Sequence, residues 1–202
     1  HLLLPAVVSG TDPAIRASGV DYGRYYLNGF ARLRLGERDS GWKVLLPLAS
    51  RLEQEGHWRA LGFLGGRALD LAPRPEAALE IAKAIESAGL DVLDPAFLQK
   101  AYDNFPDESR LAYLMGLRHE SLAQKAGLDS ESGKKQLLEA RTYWADALDG
   151  FVALKRFQQM DDLLLRLIEA DEPGLVRRVL NALKKLGSMG QWSRLWPAFE
   201  LS

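Results

Sequence analysis

His119, followed by Glu120, is the feature of the sequence closest to a catalytic signature. In the HExxH motif two histidines on one helix face hold a zinc ion, and the glutamate acts as the base. Here Ala123 occupies the second histidine position, and the whole chain contains 3 histidines. We therefore predict no metal site and interpret His119 as a partly exposed helix residue. His57, next to Trp58 at a helix junction, has the position of a capping or stacking residue.

Two glycine-containing stretches and one serine are the other candidates for chemistry. Gly133 and Lys134 match the glycine–lysine pair near the end of the phosphate-binding loop motif. Lys135, however, occupies the next position, where the motif requires Ser or Thr. The glycine pair at 65 and 66 lacks the third glycine of a dinucleotide-binding turn. Ser188 lacks the glycine spacing of a nucleophile elbow. The sequence therefore predicts no catalytic residue, no cofactor and no enzyme.

Charge and composition argue against further classes of function. The 202 residues carry a net charge of −1, so no overall field attracts nucleic acid or an anionic membrane. Cysteine is absent, which excludes disulfides and thiolate chemistry. No run approaches the ~18 consecutive apolar residues of a membrane span. The chain starts at His1, and Trp192 to Leu201 has the pattern of an unfinished helix. We therefore expect a fragment of a longer protein. We predict a cytoplasmic location for that protein.

Basic residues cluster near the C-terminus, close in sequence to Trp192 and Trp196. The cluster consists of Arg177, Arg178, Lys184, Lys185 and Arg194. Such a cluster can bind an acidic protein surface or phosphates while tryptophans stack on the ligand. The alternative is a solvated face opposite Val176, Val179 and Leu183, with both tryptophans in the core. The sequence favours this alternative, because Trp192 repeats a core position.

Amphipathic helices are the elements that must position all of these residues. From Arg110 to Leu154, two runs of apolar residues spaced three and four apart flank a polar connector. The apolar residues are Leu111, Leu114, Met115 and Leu122 in the first run, and Leu137, Ala140, Trp144, Ala147, Phe151 and Leu154 in the second. No segment alternates with the period of two that marks a half-buried strand. The sequence therefore predicts an all-α fold.

Similar periodicity predicts helices along the rest of the chain. They run from Asp12 to about Leu35, Gly41 to about Glu55, Trp58 to Leu71, Pro75 to Ala88, Asp94 to about Asp103, Gln158 to Ala170, Pro173 to Gly187, and onward from near Gln191. Pro47 is expected to bend or shorten the first turns of its helix. Val176, Val179, Leu180 and Leu183 are expected to face inward. We predict one helical-repeat domain, 1–202, with helix pairs at about 13–55, 58–88, 108–154, and 158–169 with 173–201.

Glycines recur at corresponding points of three predicted first helices. They are Gly29, Gly65 and Gly116. Leu45 follows Gly29, and Ile81 follows Gly65, by the same number of residues, and both lie on predicted second helices. Trp144 has the corresponding position after Gly116 when the longer connector between the two helices is taken into account. The small residue is predicted to let the partner helix approach closely.

This alternation of small and large residues resembles the tetratricopeptide repeat, a two-helix unit of about 34 residues. The resemblance covers most of the chain, although the proline that the family places between units is missing at most junctions. It implies an α-solenoid of stacked antiparallel helix pairs in a right-handed superhelix. It also implies that a protein or peptide partner binds along the concave surface.

The residues expected to contact a partner lie on first helices, outside or at the margin of the apolar stripe. They are Tyr25, Arg32, Arg67, Arg118 and His119. Of the tyrosines at 22, 25 and 26, at least one must face away from the core.

The predicted function is a non-catalytic protein–protein interaction module. One alternative is a spacer that positions a catalytic domain outside this sequence. For that alternative, the stretch FQQMDDLLLRLIEADEPGL is similar to helical extensions of some bacterial Gre-type transcript-cleavage factors. The other alternative is an acidic or nucleic-acid partner at the basic cluster.

Overall fold

The computed structural model of the chain describes residues 22–87, 95–168 and 173–190, which form helices joined by short turns. The helices are α1 (Tyr22–Arg34), α2 (Arg38–Gln54), α3 (Trp58–Leu71), α4 (Pro75–Ser87), α5 (Pro95–Asn104), α6 (Ser109–Ala126), α7 (Glu131–Ala153), α8 (Phe157–Ile168) and α9 (Pro173–Ser188). Within these three ranges no strand occurs. The all-α prediction is confirmed, whereas the solenoid arrangement stays a prediction.

The chain divides into two compact units, His1–Asn104 and Phe105–Ser202. In the first unit α1 packs along α2, α3 contacts α4 and α5, and α2 also contacts α3 and α4. In the second unit α6 and α7 make the most extensive helix contact, and α8 and α9 pack on α7 and on each other.

Three glycines lie where neighbouring helices come closest. A Cβ added to Gly29 would lie 2.4 Å from Cδ2 of Leu45 on α2, and one added to Gly65 would lie 3.0 Å from Cδ1 of Ile81 on α4. At Gly116 the same atom would lie 2.2 Å from the ring of Trp144 on α7. The predicted close approach is confirmed at all three positions. Each helix pair can approach this closely because the glycine has no side chain.

Trp144 is among the largest buried residues of the second unit, with 2% of its surface exposed. Arg166 of α8 covers this ring at 5.0 Å, and its Nη1 donates to both carboxylate oxygens of Glu120 at 2.8 Å. The connector before α7 ends in Ser130, which caps the helix by accepting a hydrogen bond from the backbone N–H of Gly133 at 3.0 Å. These contacts tie α6, α7 and α8 together.

The predicted start of α2 is wrong. The helix begins at Arg38, three residues before the predicted start at Gly41. Asp39 in its first turn is stabilised by the positive end of the helix dipole. Gly41 lies inside the helix, where an added Cβ would lie 2.3 Å from Leu33. Pro47 does not shorten the first turns, because α2 begins nine residues before it and continues to Gln54.

Three apolar residues that were expected to face inward are exposed. Leu154 is 55% exposed because α7 ends at Ala153. Val176 and Leu180 are 40% and 51% exposed, because the buried face of α9 is rotated from the predicted one. That buried face consists of Leu175, Val179, Ala182 and Leu186. Val44, Leu122, Leu137 and Leu183 are intermediate in exposure. The helices predicted to start at Asp12 and near Gln191 include residues outside the described ranges.

Candidate partner-binding surfaces

A groove of about 300 Å³ lies between α1 and α2. It is lined by Tyr25, Pro47, Leu48 and Arg51. Tyr25, one of the predicted contact residues, is 48% exposed, whereas Leu48 is buried. The groove therefore places an aromatic ring and a guanidinium group beside an apolar wall, and tyrosine and arginine are among the residues enriched at the anchor points of protein interfaces.

Helix geometry places Tyr25 in this groove. Tyr22, Phe30 and Leu33 form the buried face of α1, and the residue three positions after Tyr22 falls at the edge of that face. Gly29 brings α2 close enough for Pro47 and Leu48 to form the opposite wall. Because proline has no backbone N–H, the carbonyl of the residue four positions before it, Lys43, lacks its usual helix donor.

A network of polar side chains lies at the Arg51 side of this groove. Glu55 accepts hydrogen bonds from the Tyr22 hydroxyl and from Nε of Arg51, the latter at 2.6 Å. Nε2 of His57 lies 3.5 Å from the same carboxylate. The hydrogen bond from Tyr22 lowers the pKa of Glu55, partial desolvation opposes this effect, and Arg51 adds to the lowering. His57 occupies the N-cap position of α3, as predicted, but its side chain makes no cap hydrogen bond.

Arg32 and Arg67, both predicted contacts, differ in their surroundings. Arg32 donates from Nε to Asn28 at 2.9 Å and from Nη1 to Glu37 at 3.1 Å, so its charge is already paired. Arg32 lies two turns after Tyr25 on the same side of α1. Arg67 on α3 is exposed, and within the described ranges it has no hydrogen bond or ion pair. Of the two arginines, Arg67 therefore has the charge that is more available to a partner.

The other two predicted contacts lie on α6. His119 packs between α6 and α7, with Nδ1 2.7 Å from Oε1 of Gln136 and 3.2 Å from Oε2 of Glu139. Its ring stacks on Tyr143 with a centroid distance of 5.2 Å. Arg118 is intermediate in exposure and also has an interaction partner. The His119 side chain therefore joins two helices, and little of it is free for a partner.

The basic cluster is only partly available at the surface. Arg178 donates from Nη2 to Asp146 and to Asp149 of α7, both at 2.7 Å. Burial alone would lower the pKa of Arg178, but these two hydrogen-bonded carboxylates outweigh that effect and raise it. Arg177, Lys184 and Lys185 are exposed. Arg194 and both nearby tryptophans lie outside the described residues.

A second groove, between α2 and α4, was missed by sequence reasoning. It has a volume of about 550 Å³ and is lined by Glu53, Glu76, Leu79, Glu80, Lys83 and Ala84. The helical spacing of Glu76, Glu80 and Lys83 predicts a charged face on α4. It does not predict that Glu53 of α2 lies across from that face, because the two helices are separated by α3 in the sequence.

Two classes of site are absent from the parts of the chain that the structure describes. Among the residues of 22–87, 95–168 and 173–190, no three His, Cys, Asp or Glu side chains are grouped so as to hold a metal ion. Over the same ranges, each helix is too short or too polar to cross a bilayer. Comparison with protein-family models, with curated proteins and with solved structures gives no match.

Proposed function

We propose that this protein is a non-catalytic interaction module, a scaffold of stacked antiparallel helix pairs that binds a partner protein or peptide. The observation that carries the proposal is the groove between α1 and α2, because it exposes Tyr25 beside an apolar wall. Solvent-exposed aromatic rings in concave sites are typical anchors of protein interfaces. The tetratricopeptide-like, right-handed arrangement and the cytoplasmic location are part of this proposal.

Two further observations support binding over catalysis. Gly29, Gly65 and Gly116 each lie in close contact with a large residue of a neighbouring helix, which supports the proposal of repeated helix pairs with grooves along their length. The histidine among the predicted contacts, His119, is held by Gln136 and Glu139 between two helices. A general base needs access to a substrate proton, and this histidine has a structural position instead.

The test is capture of partners from a host-cell lysate with the wild-type protein and with Tyr25→Ala as bait. Loss of a tyrosine anchor typically costs about 2 kcal/mol, or about thirtyfold in Kd. We therefore expect a discrete partner, identified by mass spectrometry, to be lost from the Tyr25→Ala sample.

Leu27→Ala is the matched control, because Leu27 lies on the same helix, is 64% exposed and does not line the groove. Circular dichroism checks that both variants fold. A partner retained by Leu27→Ala and lost by Tyr25→Ala supports the proposal. If the well-folded wild type enriches nothing, or if both variants capture the same proteins, the spacer interpretation replaces it.

A further inference from the structure

The α2 wall of the groove beside Tyr25 carries a row of residues spaced about one helical turn apart. Residues four apart in a helix lie one above the other on the same face. Pro47 and Arg51 both line the groove, so Lys43, four residues before Pro47, extends the same row. Lys43 is exposed, and within the described ranges it makes no hydrogen bond or ion pair. The wall therefore presents a cation on each side of Pro47.

The acidic residues at the two ends of this row have other partners. Asp39, one turn before Lys43, accepts a hydrogen bond from Nη1 of Arg74 at 3.4 Å. Glu55, one turn after Arg51, accepts a hydrogen bond from Nε of that arginine at 2.6 Å. A guanidinium group carries several N–H donors, so this bond leaves Arg51 with donors for a second carboxylate. The row thus offers two cationic groups to an anionic ligand.

The charge around the groove is positive as well. Residues 22–55, which include α1 and α2, contain six basic and four acidic side chains, whereas the whole chain has a net charge of −1. Helix α1 carries three arginines and no acidic residue. A positive surface attracts an acidic partner segment and repels a basic one.

Pro47 favours an extended ligand over a helical one. Because proline has no backbone N–H, the Lys43 carbonyl on this wall can accept a hydrogen bond from a ligand. An extended segment has backbone N–H groups to donate, whereas a helix uses its own internally. In an extended segment the side chains at i, i+2 and i+4 lie on one face, and i and i+4 are about 13 Å apart. Lys43 and Arg51 are separated by about 12 Å along the helix axis, which matches that spacing.

We propose that this groove binds an extended acidic segment of a partner protein with the pattern acidic–x–apolar–x–acidic. The two carboxylates pair with Lys43 and Arg51, and the apolar side chain between them packs on Tyr25 and Pro47. This inference names the class of partner for the groove and rests on the function proposed above. Single-stranded nucleic acid also combines anions with groups that stack on an aromatic ring. It has no apolar side chain to cover Pro47, so we favour the protein segment.

The test uses a fluorescein-labelled peptide in which Glu-Thr-Leu-Thr-Glu is flanked by glycine and serine, with Kd measured by fluorescence anisotropy at low salt. Each exposed ion pair contributes modestly, so Lys43→Gln is expected to raise Kd by roughly twofold to fivefold. Lys43→Glu repels the peptide and is expected to raise Kd further, and Tyr25→Ala is expected to raise it as well. A peptide of the same composition with adjacent glutamates cannot reach both cations and is expected to bind more weakly.

Lys83→Gln is the charge-matched control, because Lys83 is exposed on α4 and does not line this groove. Circular dichroism checks that every variant folds, and the inference requires Lys83→Gln to leave Kd unchanged. It is overturned if the peptide does not bind, if both glutamate spacings bind equally, or if Lys43→Gln and Lys83→Gln have the same effect. A single-stranded oligonucleotide that displaces the peptide and binds more tightly also overturns it, by identifying nucleic acid as the occupant.

Failure of this inference is distinguishable from failure of the proposed function. If the peptide result overturns the inference but a lysate protein is still lost with Tyr25→Ala, the groove binds a partner of different chemistry and the proposed function stands. If neither the peptide nor any captured protein depends on Tyr25, both are wrong. A protein captured by the wild type and lost with both Tyr25→Ala and Lys43→Glu supports both.

Discussion

Two adjacent glycines in α3 offer a direct test of the helix packing. An alanine at Gly65 would place its Cβ 2.7 Å from Cε2 of Phe97 and 3.0 Å from Cδ1 of Ile81. At Gly66 the same substitution meets nothing within 4 Å. Both positions lie inside the same helix. Gly65→Ala and Gly66→Ala therefore have nearly the same backbone surroundings, and they differ in how closely neighbouring atoms approach the added Cβ.

The change in the free energy of unfolding is expected to have opposite signs in the two variants. Replacing glycine by alanine inside a helix favours folding by about 0.5–1 kcal/mol, and this gain applies to both. Only Gly65→Ala must also displace Phe97, a rigid ring that is 1% exposed. Forcing extra atoms into a packed core costs about 1–3 kcal/mol. We therefore expect Gly66→Ala to be stabilised and Gly65→Ala to be destabilised, with about 1–3 kcal/mol between them.

Urea unfolding followed by circular dichroism measures this difference directly. In thermal unfolding, 1 kcal/mol corresponds to about 2–4 °C in Tm for a protein of this size. Gly116→Ala extends the series, because its Cβ would lie 2.2 Å from the Trp144 ring, and it should be destabilised as well. Equal changes in Gly65→Ala and Gly66→Ala would refute the interpretation that the glycine at 65 sets the distance between helices.

Two further predictions concern charged side chains. Because the pKa of Glu55 is lowered from its ordinary value of 4.5, its contribution to stability is present above pH 4.5 and is lost as the pH falls through the lower, folded-state value. Above pH 4.5, Tyr22→Phe should therefore have a smaller free energy of unfolding than the wild type, and the two values should converge in acid. A difference that stays constant down to low pH would contradict this. Replacing Arg178 by Met removes its hydrogen bonds to Asp146 and Asp149, and we expect the free energy of unfolding to fall by about 1 kcal/mol, a loss that 1 M salt reduces. Urea unfolding at two salt concentrations measures it, and a loss that does not depend on salt would point to packing of the side-chain stem.

Much of the α-helical content followed from sequence because its causes are local. The helix from Trp58 to Leu71 was predicted with both ends correct, since a proline-rich turn follows it. Helix α8 likewise buries Met160, Leu163, Leu164 and Leu167, which lie three and four residues apart in the sequence. Periodicity suffices here because residues three and four apart share one side of a helix wherever that helix is placed.

The errors arose where packing among several helices decides the outcome. Val176 and Leu180 fit an apolar stripe as well as Leu175 and Leu186 do, so the pattern alone left the rotation of α9 open. In the structure, Arg178 donates to Asp146 and Asp149 of α7, and α9 buries the face formed by Leu175, Val179, Ala182 and Leu186. Sequence spacing contains no information about such a pairing across about 30 residues.

The sequence by itself determined the all-α class, most helix positions and the glycines at which helices approach. These follow from backbone geometry and from the size of single side chains. Only the tertiary structure decided which surfaces exist for binding. Tyr25 and Pro47 line one groove, and Glu53 and Glu80 line another, because separate helices pack side by side. The physical reason is that a groove belongs to two helices at once, and its shape and charge are set only when both have packed.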